Sequence, residues 1–430
     1  MPLSDFLDVS TLIGSIATSR PGYGIPMLLG THTNFGAVAK SYGKPAEMLD
    51  DGFLVTDPLY IGASRLYDQA QTPPRFWIGK RSTPVAQVDT VTVDVNTDGD
   101  YTSTLNGTEF TYSAVAKTKT EIRDALVAAI NGGSEPVTAA PVSTDQYTVT
   151  ADEAGIGFTH TVTANMSKVA TTPNNGIVED LTLIAAYTKD WYAWASDDRS
   201  ATDIKVASVW SQSNKKLYIA QNNDADLIDP ALSTDIASQL KTLGHSYTAV
   251  VYHASDAEWA DAMWLGTRLP KDPGQATWHK VKGVGCTPNT LTSAQTAALV
   301  AKNANWFEEV GGHNVMLNGI TAGGIYIDLR RGVDWLTTNI EYDVNDLQVN
   351  EDKVPFTEEG AAQVATVVEA RLLDSARRGL VVKSSIVVET LAIASAPTNE
   401  KAARQYDYVT WSATAQGAMH KIKVTGTVSA

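Results

Sequence analysis

Between residues 178 and 330 short apolar runs alternate with amphipathic helical segments, and this rhythm restricts the possible fold more than any other feature. The runs at 191–195, 217–220, 247–252 and 324–329 have strand character, and the segments at 199–212, 231–242, 256–266 and 293–309 have helical character. The last helix has a start signal, Thr292 with Gln295 three residues on, and runs toward Gly311 and Gly312. Strands separated by helices cannot be joined by tight hairpins. Regular alternation therefore predicts an α/β chain: a mainly parallel sheet covered by helices.

The earlier part of the chain fits the same body. Pro26-Met27-Leu28-Leu29-Gly30 and the run 75–79 have strand character, with helices expected at 45–51 and 57–69 between them. Residues 1–22 alternate weakly through Val9, Thr11 and Ile13 and end at Arg20-Pro21-Gly22, which predicts an extended arm closed by a turn.

Composition shifts at 84–177, which is rich in Thr, Val, Ala, Asn and Gly and alternates in Val91-Thr92-Val93-Asp94-Val95 and Tyr147-Thr148-Val149-Thr150. One helix is expected there, 119–131, with Thr118 and Glu121 as a capping box and Ile122, Leu126 and Ile130 on one stripe. The stretch has the signature of a β-rich domain inserted into the α/β body.

The stretch 323–379 organises the C-terminal part. A short apolar strand (Ile325, Tyr326, Ile327, Leu329) leads into a helix carrying Val333, Leu336 and Ile340. An acidic connector and a second helix follow, with Thr357 as its cap, Glu358 and Glu359 in its first turn and Gly379 after its end. Ala361, Val364, Ala365, Val368, Leu372 and Ala376 line one side of it. Gln363, Arg371, Asp374, Arg377 and Arg378 line another. Beyond Gly379, strand character returns at 385–391, 406–413 and 419–428. In the last run His420, Ile422, Val424 and Val428 share one parity.

Chemistry is hard to place on this chain. It has no phosphate-binding loop, no GxSxG elbow and no HExxH pair, and its 7 histidines are scattered. His245 and His253 bracket one strand, which suits satisfied structural histidines better than metal ligands. The lone Cys286 forbids an internal disulfide and has the surroundings of a small buried residue. A net charge of −15 opposes direct nucleic-acid binding. No run of about twenty apolar residues suggests membrane insertion, and the N-terminal MPLSDFLDVS lacks the pattern of a secretory leader. The acids Glu341, Asp343, Asp346, Glu351, Asp352, Glu358 and Glu359 form either a solvated helix end or a face for a basic partner. An extended amphipathic terminus must pair within its own subunit or add to a neighbour's sheet; head-to-tail addition builds open helical arrays.

The sequence resembles the tail sheath proteins of contractile phage tails and related injection systems. The matching stretches are Pro26-Met27-Leu28-Leu29-Gly30, Phe76-Trp77-Ile78-Gly79, Asp190-Trp191-Tyr192, Gly285-Cys286-Thr287-Pro288 and Asn303-Ala304-Asn305-Trp306. They continue through Gly323-Gly324-Ile325-Tyr326-Ile327-Asp328, Arg331-Gly332-Val333-Asp334-Trp335, Lys353-Val354-Pro355-Phe356-Thr357 with Gly360, Gly417-Ala418-Met419-His420 and Gly426-Thr427-Val428. Their order carries the resemblance, which spans nearly the whole chain except 84–177.

The resemblance implies a non-enzymatic subunit with no cofactor and no metal, in a six-fold helical homopolymer around a tail tube, with a baseplate and a tail terminator as further partners. It places the protein in a virion tail assembled in the host cytoplasm, where contraction drives the tube through the host envelope. The implied division is a 1–22 N-terminal arm, an α/β body of 23–83 and 178–330, and an outward-facing inserted domain of 84–177. A tube-facing inner domain of 331–415 and a 416–430 C-terminal strand arm complete it. Val9, Thr11, Ile13, Ile422, Val424 and Val428 would be the inter-subunit arm strands, and Arg371, Arg377 and Arg378 the tube-facing residues. The alternatives are another virion structural protein, in the tube or baseplate, and an α/β enzyme whose site is assembled from distant loops.

Overall fold

The computed structural model of the protein describes residues 22–423. The chain divides into two compact units. One is built from the described residues up to Leu28, Ser41–Ile78 and the described residues from Lys189 on; the other from Leu29–Lys40 and Gly79–Thr188.

Strands β1 (Pro26–Thr31), β2 (Ala39–Tyr42) and β3 (Phe76–Arg81) come first, with α1 (Pro58–Tyr67) before β3. Pro58 opens α1 behind Asp57, where its missing N–H costs nothing. The second unit then carries β4 (Val88–Val93), β5 (Gly99–Leu105), β6 (Thr108–Ala114), α2 (Lys119–Asn131), β7 (Val137–Pro141), β8 (Gln146–Ala151), β9 (His160–Val162), β10 (Met166–Thr172) and α3 (Ile177–Tyr187). Its strands make two antiparallel sheets, β10-β4-β8-β7 and β6-β5-β9. Both close on α2 through Val91, Tyr101, Leu105, Ile122, Leu126, Ile130, Tyr147 and Val149. The helix starts where the sequence places it: the Thr118 side chain accepts from the Glu121 backbone, and Glu121 returns the bond to the cap.

The alternating segment follows as β11 (Ala193–Ser196), α4 (Ala201–Asn214), β12 (Leu217–Asn222), α5 (Ile236–Thr242), β13 (Thr248–Tyr252), α6 (Ala260–Arg268), β14 (Val281–Lys282), α7 (Ser293–Ala301), β15 (Asn305–Val310) and β16 (His313–Leu317). Among the described residues nine strands form the main sheet, in the order β14-β16-β15-β13-β12-β11-β1-β3-β2. β11, β12, β13 and β15 pair in parallel, while β14 and β16 close one edge antiparallel. β11, β12 and β13 are buried along their whole length, as parallel strands covered on both faces must be. Trp194 of β11 stacks on Tyr218 of β12 with ring centroids 3.9 Å apart.

Three expectations fail locally, one of them the strand predicted over 419–428, whose described part, 419–423, carries no strand because it makes no backbone ladder with another segment among the described residues. The helix predicted over 293–309 stops at Ala301, and Asn305–Val310 is strand β15. Asn303, at φ 56°, turns the chain, and a slot between β13 and β16 takes Trp306 and Phe307. The strand predicted over 324–329 is reduced to a single bridge between Ile320 and Tyr326, because Ile327 already opens a helix.

That helix, α8 (Ile327–Asn350), pairs with α9 (Glu358–Arg377), and the chain ends in β17 (Val387–Thr390), α10 (Thr398–Ala403) and β18 (Val409–Ser412). Thr357 caps α9 through the Gly360 backbone, as its sequence position predicts. The acidic residues 341–346 lie within α8, so only 351–357 remains as connector. β17 and β18 form a separate two-stranded antiparallel sheet. Trp335, Leu336, Val368, Leu372, Leu380 and Val381 form the core beneath it, with Val388 and Val409 packed against them.

Candidate functional site

The first turns of α8 are fixed by buried polar groups. Tyr192, just before β11, and Tyr247, just before β13, each donate a hydroxyl hydrogen bond to Asp334 at 2.8 Å, and Arg330 pairs with the same carboxylate. Tyr23 adds a 2.7 Å bond to the Asp334 carbonyl. One turn back, the buried Arg331 donates to the carbonyls of Arg268, Leu269 and Tyr23 at 2.8–3.0 Å. Desolvation lowers its pKa to about 10, and burial raises Tyr23 to about 12 and Tyr192 well above its ordinary value. These groups hold the helix.

Beside this hub lies a polar cleft of about 570 Å3, lined by Lys189, Trp191, Gln212, Lys215, Lys216 and Glu341 among others. Lys216 lies over the Trp191 ring and donates to the Trp191 carbonyl, and desolvation lowers its pKa to about 8. The lining residues Tyr192, Lys216 and Tyr247 immediately precede β11, β12 and β13, so the cleft opens at the amino ends of the parallel strands. Open α/β sheets place ligand sites at the carboxyl ends. At that opposite end the polar side chains are engaged internally. Asn222 donates to the Arg199 carbonyl, His253 bonds Ser255 and Thr287, Arg199 pairs with Asp261, and Asn289 bonds Tyr252 and Phe307.

His245 and Cys286 have structural surroundings. His245 contacts the Ser208 hydroxyl, and the Cys286 thiol donates to the Glu258 carbonyl while burial pushes its pKa to about 12. Among the described residues no three His, Cys, Asp or Glu side chains converge as a metal site.

The second unit holds an arrangement that sequence motifs did not signal. Ser103 Oγ is 2.7 Å from His160 Nε2, and His160 Nδ1 is 3.0 Å from Asp89 Oδ2. The atoms follow the order of a serine–histidine–aspartate relay. Yet Ser103 and Asp89 are fully buried, and so is the His160 side chain. Lys168 Nζ also lies 3.2 Å from the Asp89 carboxylate. No substrate carbonyl can reach the serine here. The three residues sit on β5, β9 and β4 and pin the unit's two sheets together.

The three arginines expected on one flank of α9 differ in setting. Arg371 holds Asp343 of α8 through two bonds of 2.6 and 3.0 Å and also pairs with Asp374. Arg378 pairs with Asp374 and Asp272, and both guanidiniums lie over the Trp335 ring. Arg377 is exposed, at the last position of α9.

Beyond α9 the chain forms a two-stranded ribbon. β17 and β18 pair from Val387 with Ser412 to Thr390 with Val409, and bonds between 380–382 and 414–416 extend the ribbon. Among the described residues no third strand joins either edge. Val387 and Trp411 are exposed on it, and beyond it Met419 and Ile422 are 85% and 72% exposed. Of the expected arm residues, Ile422 is therefore on the surface, while Val9, Thr11, Ile13, Val424 and Val428 lie outside the described residues.

Neither a known family profile nor a curated protein sequence matches the chain. Solved structures do. A chain of the anti-feeding prophage (AFP) baseplate aligns with a TM-score of 0.56 at 12% identity, covering 98% of this chain and 99% of that one. The AFP helical sheath in its contracted state aligns with a TM-score of 0.53 at 13% identity over 98% and 99%. The sheath complex of an extracellular contractile injection system, PVC, in its contracted state aligns with a TM-score of 0.55 at 10% identity over 98% and 97%. The chain thus has the fold of contractile sheath subunits along nearly its whole length.

Proposed function

We propose that the chain is the structural subunit of a contractile sheath, polymerising helically around a tube and linked to its neighbours by strand exchange. The observation that carries this reading is the β17–β18 ribbon. Among the described residues this pair, packed on one side against the α8–α9 core, leaves two unpaired edges and exposes Val387 and Trp411. Strands from the terminal arms of neighbouring copies, 1–22 and 416–430, complete the sheet. Each new backbone bond contributes roughly 0.5–1.5 kcal/mol net, repeated at every subunit. The full-length fold match to chains of assembled sheaths supports the same assembly.

In this reading the subunit does no bond chemistry, and 331–415 is the inner, tube-facing domain. The inserted domain 84–177 faces outward, and baseplate and terminator proteins close the six-fold polymer at its ends in a phage-like tail assembled in the host cytoplasm. Arg371, Arg377 and Arg378 mark the tube-facing flank; Arg371 and Arg378 pair internally, and Arg377 is the exposed one among the three.

Electron microscopy of the purified chain tests the proposal: helical tubes are expected from the full chain and monomers from a chain lacking 419–430. Discrete particles from the full chain, or sheath-like tubes from the truncation, would overturn it.

A further inference from the structure

Between Thr414 and Lys423 every side chain is exposed except one: His420 is half-buried. Its Nε2 lies 2.8 Å from Thr277 Oγ1, its ring stacks on His279 with centroids 4.5 Å apart and planes 24° apart, and Tyr326 meets it edge-on at 4.9 Å. The seat is itself braced. Thr277 Oγ1 accepts from the His279 backbone at 3.2 Å, and His279 Nδ1 accepts from the Asn318 backbone at 3.1 Å. Under the segment runs a groove walled by Gly274, Tyr326, Leu329 and Leu380. Gly274, at φ +83°, brings its backbone against Leu380, where an added Cβ would fall 2.6 Å from the Leu380 Cβ.

We propose that Thr277, His279 and Tyr326 form a binding seat for the chain's own C-terminal segment, with His420 as the anchor that parks that segment on the unassembled subunit. The occupant follows from the backbone: Gln416 donates to the Leu380 carbonyl at 2.8 Å, which leads the chain along the groove and delivers His420 to the seat. The proposal rests on the sheath reading for its purpose, which is to keep an adhesive strand from pairing before a neighbour is in place. The parking itself does not depend on that reading.

The groups facing the two imidazoles give the seat a direction with pH. Lys280 and His420 stand beside His279, and Asp328, which lines the groove, is acted on by both His420 and Arg268. Desolvation, then His420 and Lys280, lower the His279 pKa to about 4. Its Nδ1 cannot take a proton and still accept from Asn318. The part of that lowering that the docked His420 adds is lost on release, so parking favours neutral His279 and weakens as pH falls.

Limited trypsin digestion of the dispersed full chain tests the seat, since Lys421 follows the anchor directly. Cleavage after Lys421 is counted by mass spectrometry relative to cleavage after the exposed Arg404 in the same molecules. Removing one stack and one hydrogen bond, by His420→Ala or His279→Ala, is expected to raise that ratio roughly 5- to 30-fold, because cleavage tracks the released population. His420→Phe, which keeps the stack, is expected to fall between. The wild-type ratio is expected to rise between pH 8 and pH 5.5. Equal ratios in wild type, His420→Ala and His279→Ala would overturn the proposal. Electron microscopy of the same samples reads assembly separately: protection of Lys421 in the wild type with no tubes from either the wild type or His420→Ala would overturn the sheath reading and leave the seat standing.

Discussion

Tyr192 and Asp334 stand 142 positions apart, yet the tyrosine hydroxyl donates to the Asp334 carboxylate at 2.8 Å inside the protein. With Tyr247 and Arg330 on the same carboxylate, Asp334 is the point at which the α8–α9 hairpin is tied to the amino ends of the parallel strands. A side chain bonded this way transmits load between the hairpin and the sheet only while all its partners are in place.

Asp334→Ala should therefore be among the most damaging single changes. It leaves Arg330 and two tyrosine hydroxyls without their acceptor, and breaking a buried charge network of this kind costs about 3–5 kcal/mol. Asp334→Asn keeps the size and one acceptor and should cost less. Denaturant titration followed by tryptophan fluorescence measures both, since the ten tryptophans all lie outside 79–188 and report on the first unit. A loss below about 1 kcal/mol for the alanine variant would show that the hub is not what holds α8.

The arginines of α9 should separate into two classes. Arg371→Glu places a carboxylate against Asp343 and Asp374 and removes a guanidinium from Trp335, and should destabilise by about 1–3 kcal/mol. Arg377→Glu, at an exposed position, should change stability by no more than about 0.5 kcal/mol. On the sheath reading it should nevertheless weaken co-assembly with the tube protein, measured by co-sedimentation across a salt series. Unchanged co-sedimentation of Arg377→Glu would remove this residue from the tube contact.

Acid should loosen the second unit at the Asp89–His160–Ser103 pin. Burial lowers the His160 pKa, against the opposing pull of Asp89. Its neutral form is thus the one that fits, so its contribution is present above the free imidazole value and is lost as pH falls below it. Hydrogen exchange at the amides of β5 should accelerate from pH 7 to pH 5 beyond the intrinsic chemical trend, while His160→Gln, with no titrating ring, should flatten that excess. The Ser103→Ala variant should lose about 1 kcal/mol of stability, the serine being sealed from solvent.

How much of this was legible depends on the distance over which each feature is decided. The caps at Thr118, Thr292 and Thr357 lie within three residues of their partners, and each starts its helix as the sequence suggests. The alternation over 178–330 gave the mainly parallel sheet because layer packing depends on the order of elements. The apolar residues of Asn305–Val310 suit either period and suggest a helix, and only the slot between β13 and β16 decides for a strand. Asp334 could be seen in Arg331-Gly332-Val333-Asp334-Trp335, but its role could not: its partners Tyr192 and Tyr247 are 142 and 87 positions away. The arginine flank of α9 was visible, but the acids that occupy Arg371 and Arg378 come partly from α8 and the 272 loop.

Among the described residues both edges of the ribbon are open, which allows the strand-exchange proposal to be tested without removing the arms. Leu391 donates its backbone N–H to the Tyr408 carbonyl, and antiparallel pairs alternate between bonded and unbonded. Glu389 with Thr410 is then a bonded pair, and the N–H groups of Thr390 on β17 and Val409 on β18 point away from the partner strand. Thr390→Pro and Val409→Pro delete only an outward donor, which an edge strand tolerates. Each should keep the subunit folded within about 1 kcal/mol. Thr390→Pro should stop strand addition at the β17 edge and Val409→Pro at the β18 edge. Glu389→Pro, which deletes an inward donor, should instead disrupt the ribbon and raise exchange across 385–391. Tube formation is read by electron microscopy and folding by thermal unfolding. Normal tubes from both outward-donor variants would mean that neither edge receives a neighbour's arm, and the link between subunits would have to lie elsewhere on the chain.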